Sequence, residues 1–201
     1  MRGLTLSLGL CLAATAGHAA CPGAEAMAGA GVWIETDDGG VLHFERRGDL
    51  VIETSIYAPD DMIETQTHKG LYFLQDGTLK DGNLDRSTMT RYEYPEFDSL
   101  PDPNAQGTWN GAVKVFSDGG DQSVQHQLTV SIGAESEMAI GDCTYPGRIV
   151  AANLRQALGG GWATQYFYLS DLGFAFFVAA GETPLAYEYS YRAVSISSDP
   201  P

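Results

Sequence analysis

The side chains best equipped for chemistry in this 201-residue chain are its histidines, cysteines and carboxylates, and none falls at a spacing that selects a reaction. His43, His68 and His126 are far apart, and none belongs to a His-x-Glu or Cys-x-x-Cys pattern of the kind that closes a zinc site. No Gly-x-Ser-x-Gly elbow and no Ser-x-x-Lys pair offers an activated hydroxyl. Glu53, Glu64, Glu93, Glu96 and Glu188 lie on or near strand-like runs, but no spacing picks out two of them as an acid and base pair for glycoside hydrolysis. Asp81-Gly82-Asn83-Leu84-Asp85 starts as a calcium loop does, with Asp76 nearby. Arg86 then stands where such a loop needs Gly, and Tyr92 where it needs a bidentate Glu, so the segment reads as a solvated acidic turn. The expectation is no catalytic residue, no metal and no cofactor.

The cysteines say more about compartment than about reaction. Arg2, the apolar run Leu4 to Ala16 and the small-residue stretch Gly17-His18-Ala19-Ala20 have the layout of a secretory signal peptide over residues 1–19. This 13-residue run falls short of the roughly 20 apolar residues that span a bilayer, so no membrane span is expected. Removing it removes Cys11 and leaves Cys21 and Cys143, an even count that predicts one disulfide in an oxidising compartment. The competing reading makes Cys21 a lipidated first residue. His18 departs from the Leu-(Ala/Ser)-(Gly/Ala)-Cys pattern of such signals, and lipidation would leave Cys143 without a partner. The localisation expected is periplasmic or secreted.

Charge narrows the partners. The chain carries 26 acidic and 11 basic residues, a net charge of −15. Gripping phosphates requires clustered Lys and Arg, and the nearest approach is the pair Arg46–Arg47, so nucleic acid is not an expected partner. The same acidity argues against anionic lipid headgroups and favours simple solubility.

Periodicity predicts one domain over residues 20–201, mostly β, with a short helix in 22–30 as the only good helical segment. Strand-like runs lie at 32–36, 41–46, 50–57, 65–75, 86–94, 107–116, 123–132 and 137–142, each bounded by Gly, Asp, Asn or Pro. On the third, Leu50, Ile52 and Ile56 share a face. The clearest is 123–132, where Val124, His126, Leu128, Val130 and Ile132 alternate with Ser123, Gln125, Gln127, Thr129 and Ser131; its expected mate is 109–116. Residues 95–106 form the longest loop, and 147–158 lean towards strand. The tail adds 162–169, 174–179 and 184–196, with Tyr187, Tyr189 and Tyr191 on one face. About ten strands without βαβ spacing imply a curved antiparallel sheet, a half-barrel or barrel-like.

Trp162 to Ala179, with Tyr166, Tyr168 and the Leu172-Gly173 turn, resembles a strand–turn–strand unit of the half-barrel carriers of lipoproteins and lipids. The whole chain is similar to uncharacterised exported β-rich proteins of Gram-negative bacteria. The first resemblance implies a strongly curved sheet with an apolar concave face. On this reading Trp162, Tyr166, Tyr168, Tyr187, Tyr189, Tyr191 and His126 are the candidate ligand-binding residues. The function expected is non-enzymatic: an extracytoplasmic binding or accessory protein holding an apolar or lipid-like small molecule, or an envelope protein. Two alternatives stay open, a structural or interaction protein with no small-molecule site and a hydrolase whose site leaves no motif.

Overall fold

The computed structural model describes residues 20–156, 159–182 and 189–201. The expected signal segment and Tyr187 lie outside the described residues. A short helix, α1 (Ala24–Ala28), comes first. Its one buried residue, Met27, ties it to the core, and glycines at 29 and 31 end it within about a turn and a half. None of the described helices is long and apolar enough to cross a membrane.

Strands follow. The first five are β1 (Val32–Thr36), β2 (Val41–Arg47), β3 (Leu50–Ala58), β4 (Asp61–His68) and β5 (Tyr72–Lys80). The two-residue β6 (Asn83–Leu84) turns aside, β7 (Thr90–Glu93) is short, and β8 (Gly107–Phe116) resumes the sheet. Two long strands, β9 (Ser123–Ile140) and β10 (Cys143–Gln156), lead to the hairpin β11 (Gly161–Leu169) and β12 (Phe174–Glu182). The chain closes with β13 (Tyr189–Ser190) and β14 (Ala193–Ser197).

All pair antiparallel in one path, β13-β12-β11-β10-β9-β8-β7-β5-β4-β3-β2-β1-β14, with β6 attached to β5 alone. The two edge strands are consecutive in the chain, separated only by Tyr191 and Arg192. A flat sheet of this size would be about 60 Å wide at ~4.8 Å per strand, whereas three peptide links span about 11 Å. The sheet therefore curls until its ends nearly meet. The linking residues bond to both sides: Tyr191 N–H donates to Val178 O (2.9 Å), and Asp37 N–H donates to Arg192 O (2.9 Å). No ladder joins β13 to β14, so the curved sheet stays open.

Several runs differ from the periodic reading. Residues 65–75 are not one strand but the end of β4 and the start of β5, folded at Lys69 (φ 53°) and Gly70 (φ 65°). A Lys at positive φ is uncommon, and so nothing in composition announces the turn. Runs 123–132 and 137–142 merge into the 18-residue β9 because the ladder with β10 continues past Gly133 through a bulge, in which Gly133 and Ala134 stand against Ile149 alone. The described part of 184–196 is broken at 191–192, where the segment changes partners from β12 to β1. The pairing of β8 with β9 is as expected, Trp109 opposite Val130 and Phe116 opposite Ser123.

Two apolar clusters result. One gathers Met27, Val32, Ile34, Phe44, Ile140 and Phe174 with the disulfide Cys21–Cys143, whose Cα atoms are 5.7 Å apart. Phe44 and Phe174 stack at 4.0 Å in it, and Tyr145 O–H donates to Pro22 O (3.1 Å), with burial pushing that phenol up to about 12. The other holds Leu71, Tyr72, Leu100, Val113, Leu128 and Val150. The loop 94–106 caps it: Tyr72 O–H donates to Pro101 O (2.9 Å) and Lys69 Nζ to Leu100 O (3.0 Å). The tip of the β11–β12 hairpin is buried on both faces and docks on the β4–β5 turn, with Ala175 N–H donating to Gly70 O at 2.7 Å.

Candidate functional site

Ladder register fixes what points inward. Phe44, Glu53, Thr65, Asp76 and Thr90 stand opposite one another across β2, β3, β4, β5 and β7, so they share one face. A second register places Tyr166 opposite Phe177 and Thr164 opposite Ala180 on β11 and β12. Between these walls are two adjoining cavities of about 450 and 350 Å³. Phe73, Trp162, Tyr166 and Phe177 line both and form the partition.

The rings are in sequence contact along that partition. Tyr92 lies 5.9 Å from Phe73, Phe73 6.1 Å from Tyr166, Tyr166 6.1 Å from Phe177, and Phe177 5.4 Å from Tyr191, all tilted or edge-on. Such contacts hold flat walls apart without filling the space between them. The larger cavity is bounded elsewhere by Val41, Leu42, Phe176 and Ala180, and its rim carries the exposed residues Asp38, Tyr57 and Trp162. The smaller adds Tyr94, Leu128, Val130, Ala152 and Leu154.

Polar groups are few and acidic. Glu53 lies deep among protein atoms, and the partial solvent contact it keeps is with the cavity it lines. Burial raises its carboxyl above the usual range, against the lowering effect of Ser55, whose hydroxyl donates to Oε1 at 2.9 Å. Asp76 is likewise raised by burial and accepts from Tyr92 O–H at 3.0 Å. The phenols of Tyr92 and Tyr166 are held well above their ordinary range, first by burial, so both remain neutral donors. At the rim, Asp38 is lowered by the hydroxyl of Thr36 and the N–H of Gly40. Among the described residues neither cavity has a Lys, Arg or His in its lining.

Trp162 and Tyr166 line both cavities and Tyr191 the larger one. Tyr168 lies apart, buried beside Arg46, Lys69, Asp102 and Gly173 in an open groove, its phenol pushed up to about 12 by burial. Tyr189 pairs with Ala180 through its backbone. His126 faces Val113 across the β8–β9 ladder and lines neither cavity; burial lowers its pKa, and its Nδ1 has no hydrogen-bond partner.

Glu53, Ser55, Thr65 and Phe73 are the lining residues that periodicity does not single out. On β3 the face of Leu50, Ile52 and Ile56 is the more apolar, yet the cavity receives Val51's face, with Glu53 and Ser55. The signal was present as polar residues at alternate positions of a strand with buried residues on both faces. The other chemical candidates are engaged in local structure. His43 Nε2 lies 2.9 Å from Ala30 O, and the ring stacks on Trp33 at 4.1 Å. Asp85 accepts from Ser87 N–H and Oγ, and Asp81 and Gly82 take positive φ in the β5–β6 turn. Among the described residues no group of three or more His, Cys, Asp or Glu is placed to hold a metal ion.

Comparison of this chain with protein-family models, with curated proteins and with solved structures finds no match.

Proposed function

We propose that this chain is an exported, non-enzymatic binding protein that holds an apolar small molecule inside its curved sheet. The observation that carries the reading is the pair of adjoining cavities of 450 and 350 Å³ with a shared wall of Phe73, Trp162, Tyr166 and Phe177. Volumes of ~300–1,000 Å³ with mostly apolar walls and a few polar groups are the ordinary dimensions of small-molecule sites. The leader-like residues 1–19 and the disulfide fit an extracytoplasmic location. Hydrolysis by paired carboxylates fits less well, because Asp38 and Asp76 are both held by hydrogen-bond donors and Asp76 lines neither cavity.

Titration with the neutral apolar fluorophore N-phenyl-1-naphthylamine tests it. The expected result is saturable, blue-shifted emission at one site per chain with a micromolar Kd, lost in Tyr166→Ala and Phe177→Ala but kept in the surface variant Lys114→Ala. No saturable signal, or a signal indifferent to the wall variants, would leave a structural or interaction role in its place.

A further inference from the structure

The larger cavity has one property that an apolar ligand alone does not explain: among the described residues its one deep charged group is a carboxylate, Glu53, with no Lys, Arg or His on the cavity lining. Glu53 projects from the middle of β3 into the space between Leu42, Phe73 and Tyr166. The groups around it are Ser55 on its own strand, Thr65 directly opposite on β4, Phe44 directly opposite on β2 and Tyr166 from β11. Among the described residues the titratable groups that line the cavity with it are the phenols of Tyr57, Tyr166 and Tyr191, with Asp38 further out at the rim; none is basic. A carboxylate buried without a counter-charge is costly, and a site that wanted only hydrocarbon would be more stable with a neutral residue there. The donors at hand leave acceptor capacity on Glu53: the Ser55 hydroxyl satisfies Oε1, and a carboxylate offers about four lone-pair directions.

We propose that the ligand of this cavity is an apolar amine whose ammonium group is received by Glu53. The proposal rests on the binding reading above and specifies its chemistry. A primary or secondary ammonium brings the missing positive charge and two or three N–H donors, which Glu53, Ser55 Oγ and Thr65 Oγ1 accept. The aromatic partition supplies the rest: the faces of Phe73, Tyr166 and Phe177 attract a cation and bury its hydrocarbon body. An anionic head would meet an acidic interior with no Lys, Arg or His among its described lining residues and is disfavoured on charge. Because Glu53 is held above the usual carboxylate range while the cavity is empty, amine binding releases a proton, and affinity rises with pH until the amine itself deprotonates.

Octylamine, octanol and octanoate share one tail and differ only in the head, so displacement of N-phenyl-1-naphthylamine by the three, at pH 7.5 and in 0.5 M NaCl, isolates the head. Salt suppresses adsorption of the amine to the acidic surface while leaving a buried pair largely unscreened. Octylamine is expected to displace the fluorophore at least tenfold more tightly than octanol, with octanoate weakest, and Glu53→Gln is expected to reduce the amine-to-alcohol ratio to about one. Ser55→Ala, which keeps the carboxylate, is expected to retain a preference for the amine, and the wild-type ratio itself should grow between pH 5.5 and 8, so the outcome does not depend on one variant folding. Equal affinity for the three heads, a preference abolished by salt, or a preference untouched by Glu53→Gln overturns the proposal while the binding reading stands. Failure of the fluorophore and of all three octyl compounds to bind overturns both.

Discussion

The two ends of the interior are built on opposite plans. Under α1, the cluster of Val32, Ile34, Phe44 and Phe174 is almost wholly sealed, with stacked rings, and a disulfide and a buried Tyr145 hydrogen bond fasten the segment of Cys21 and Pro22 over it. Along Phe73, Tyr166 and Phe177 the rings meet tilted or edge-on at about 6 Å, keep hollow space between them and border the buried carboxyl of Glu53. Contact density stabilises the first region, and empty volume costs dispersion energy in the second. The same sheet thus packs densely at one end and keeps hollow space at the other.

The sharpest way to break the contrast is to remove the fastening. Cys21→Ser with Cys143→Ser opens a loop closed over a separation of 122 residues, for which chain entropy alone gives about 5 kcal/mol. Chemical denaturation of the double variant is expected to show a loss of that order, with a fall in Tm of about 10–20 °C in thermal melts. A loss under about 1 kcal/mol would mean that the sealed cluster holds the Cys21 segment without it.

Truncating one ring in each region compares them directly. Phe174 is fully buried and stacked on Phe44, so Phe174→Ala is expected to cost about 3–5 kcal/mol. Phe177 already borders both cavities, so Phe177→Ala loses fewer contacts and is expected to cost about 1–2 kcal/mol while weakening fluorophore binding. Equal costs in urea titrations would show that the cavity wall is as much a part of the stabilising core as the sealed end.

Which parts of this plan the chain announces follows from what periodicity measures. Alternation in 123–132 locates β9 and its mate because one face is buried and the other is not, and the cysteine count predicts the bond that forms. The same rule reverses the importance of the two faces on β3: an enclosed cavity admits Glu53 and Ser55 to the interior, whereas the more apolar face of Ile52 belongs to neither main cluster. The tail aromatics Trp162, Tyr166 and Tyr191 reach the cavity, but Tyr168 is carried to another groove by its place near the docked hairpin tip. Tertiary proximity between β3 and β11 leaves no trace in local pattern, and that proximity makes the site.

The junction between the regions is the contact of two turns, and a single methyl group probes it. A Cβ on Gly70 would lie 2.2 Å from Gly173 O and 2.6 Å from Phe174 Cα, at a φ of +65° that disfavours any side chain. Gly70→Ala must therefore lift the β11–β12 tip and weaken the Ala175 N–H to Gly70 O bond. The expected cost is about 1–3 kcal/mol, with faster hydrogen exchange at Ala175. Unchanged protection there would mean that the two ends are joined elsewhere.

Glu53→Gln gives the smallest change in stability and the most specific one, because its sign depends on pH. Burial raises the carboxyl in the folded protein above its value in the unfolded chain, so the folded state holds its proton more tightly. The stability associated with that proton is complete below the ordinary carboxylate range and is lost as pH rises through the raised folded value. Glutamine keeps the shape and cannot ionise. The variant is therefore expected to match the wild type near pH 4 and to exceed it at pH 8, by a few degrees in Tm or on the order of 1 kcal/mol. Asp76, raised by the same burial, pulls in the same direction and remains in both proteins, so the difference between their pH profiles isolates Glu53. His68 and His126, lowered by burial, act only at the acid end, where their protonation destabilises both proteins alike. A variant less stable than the wild type at pH 8 would mean that Glu53 holds the fold together, and the hollow end would then owe its carboxylate to structure rather than to a guest.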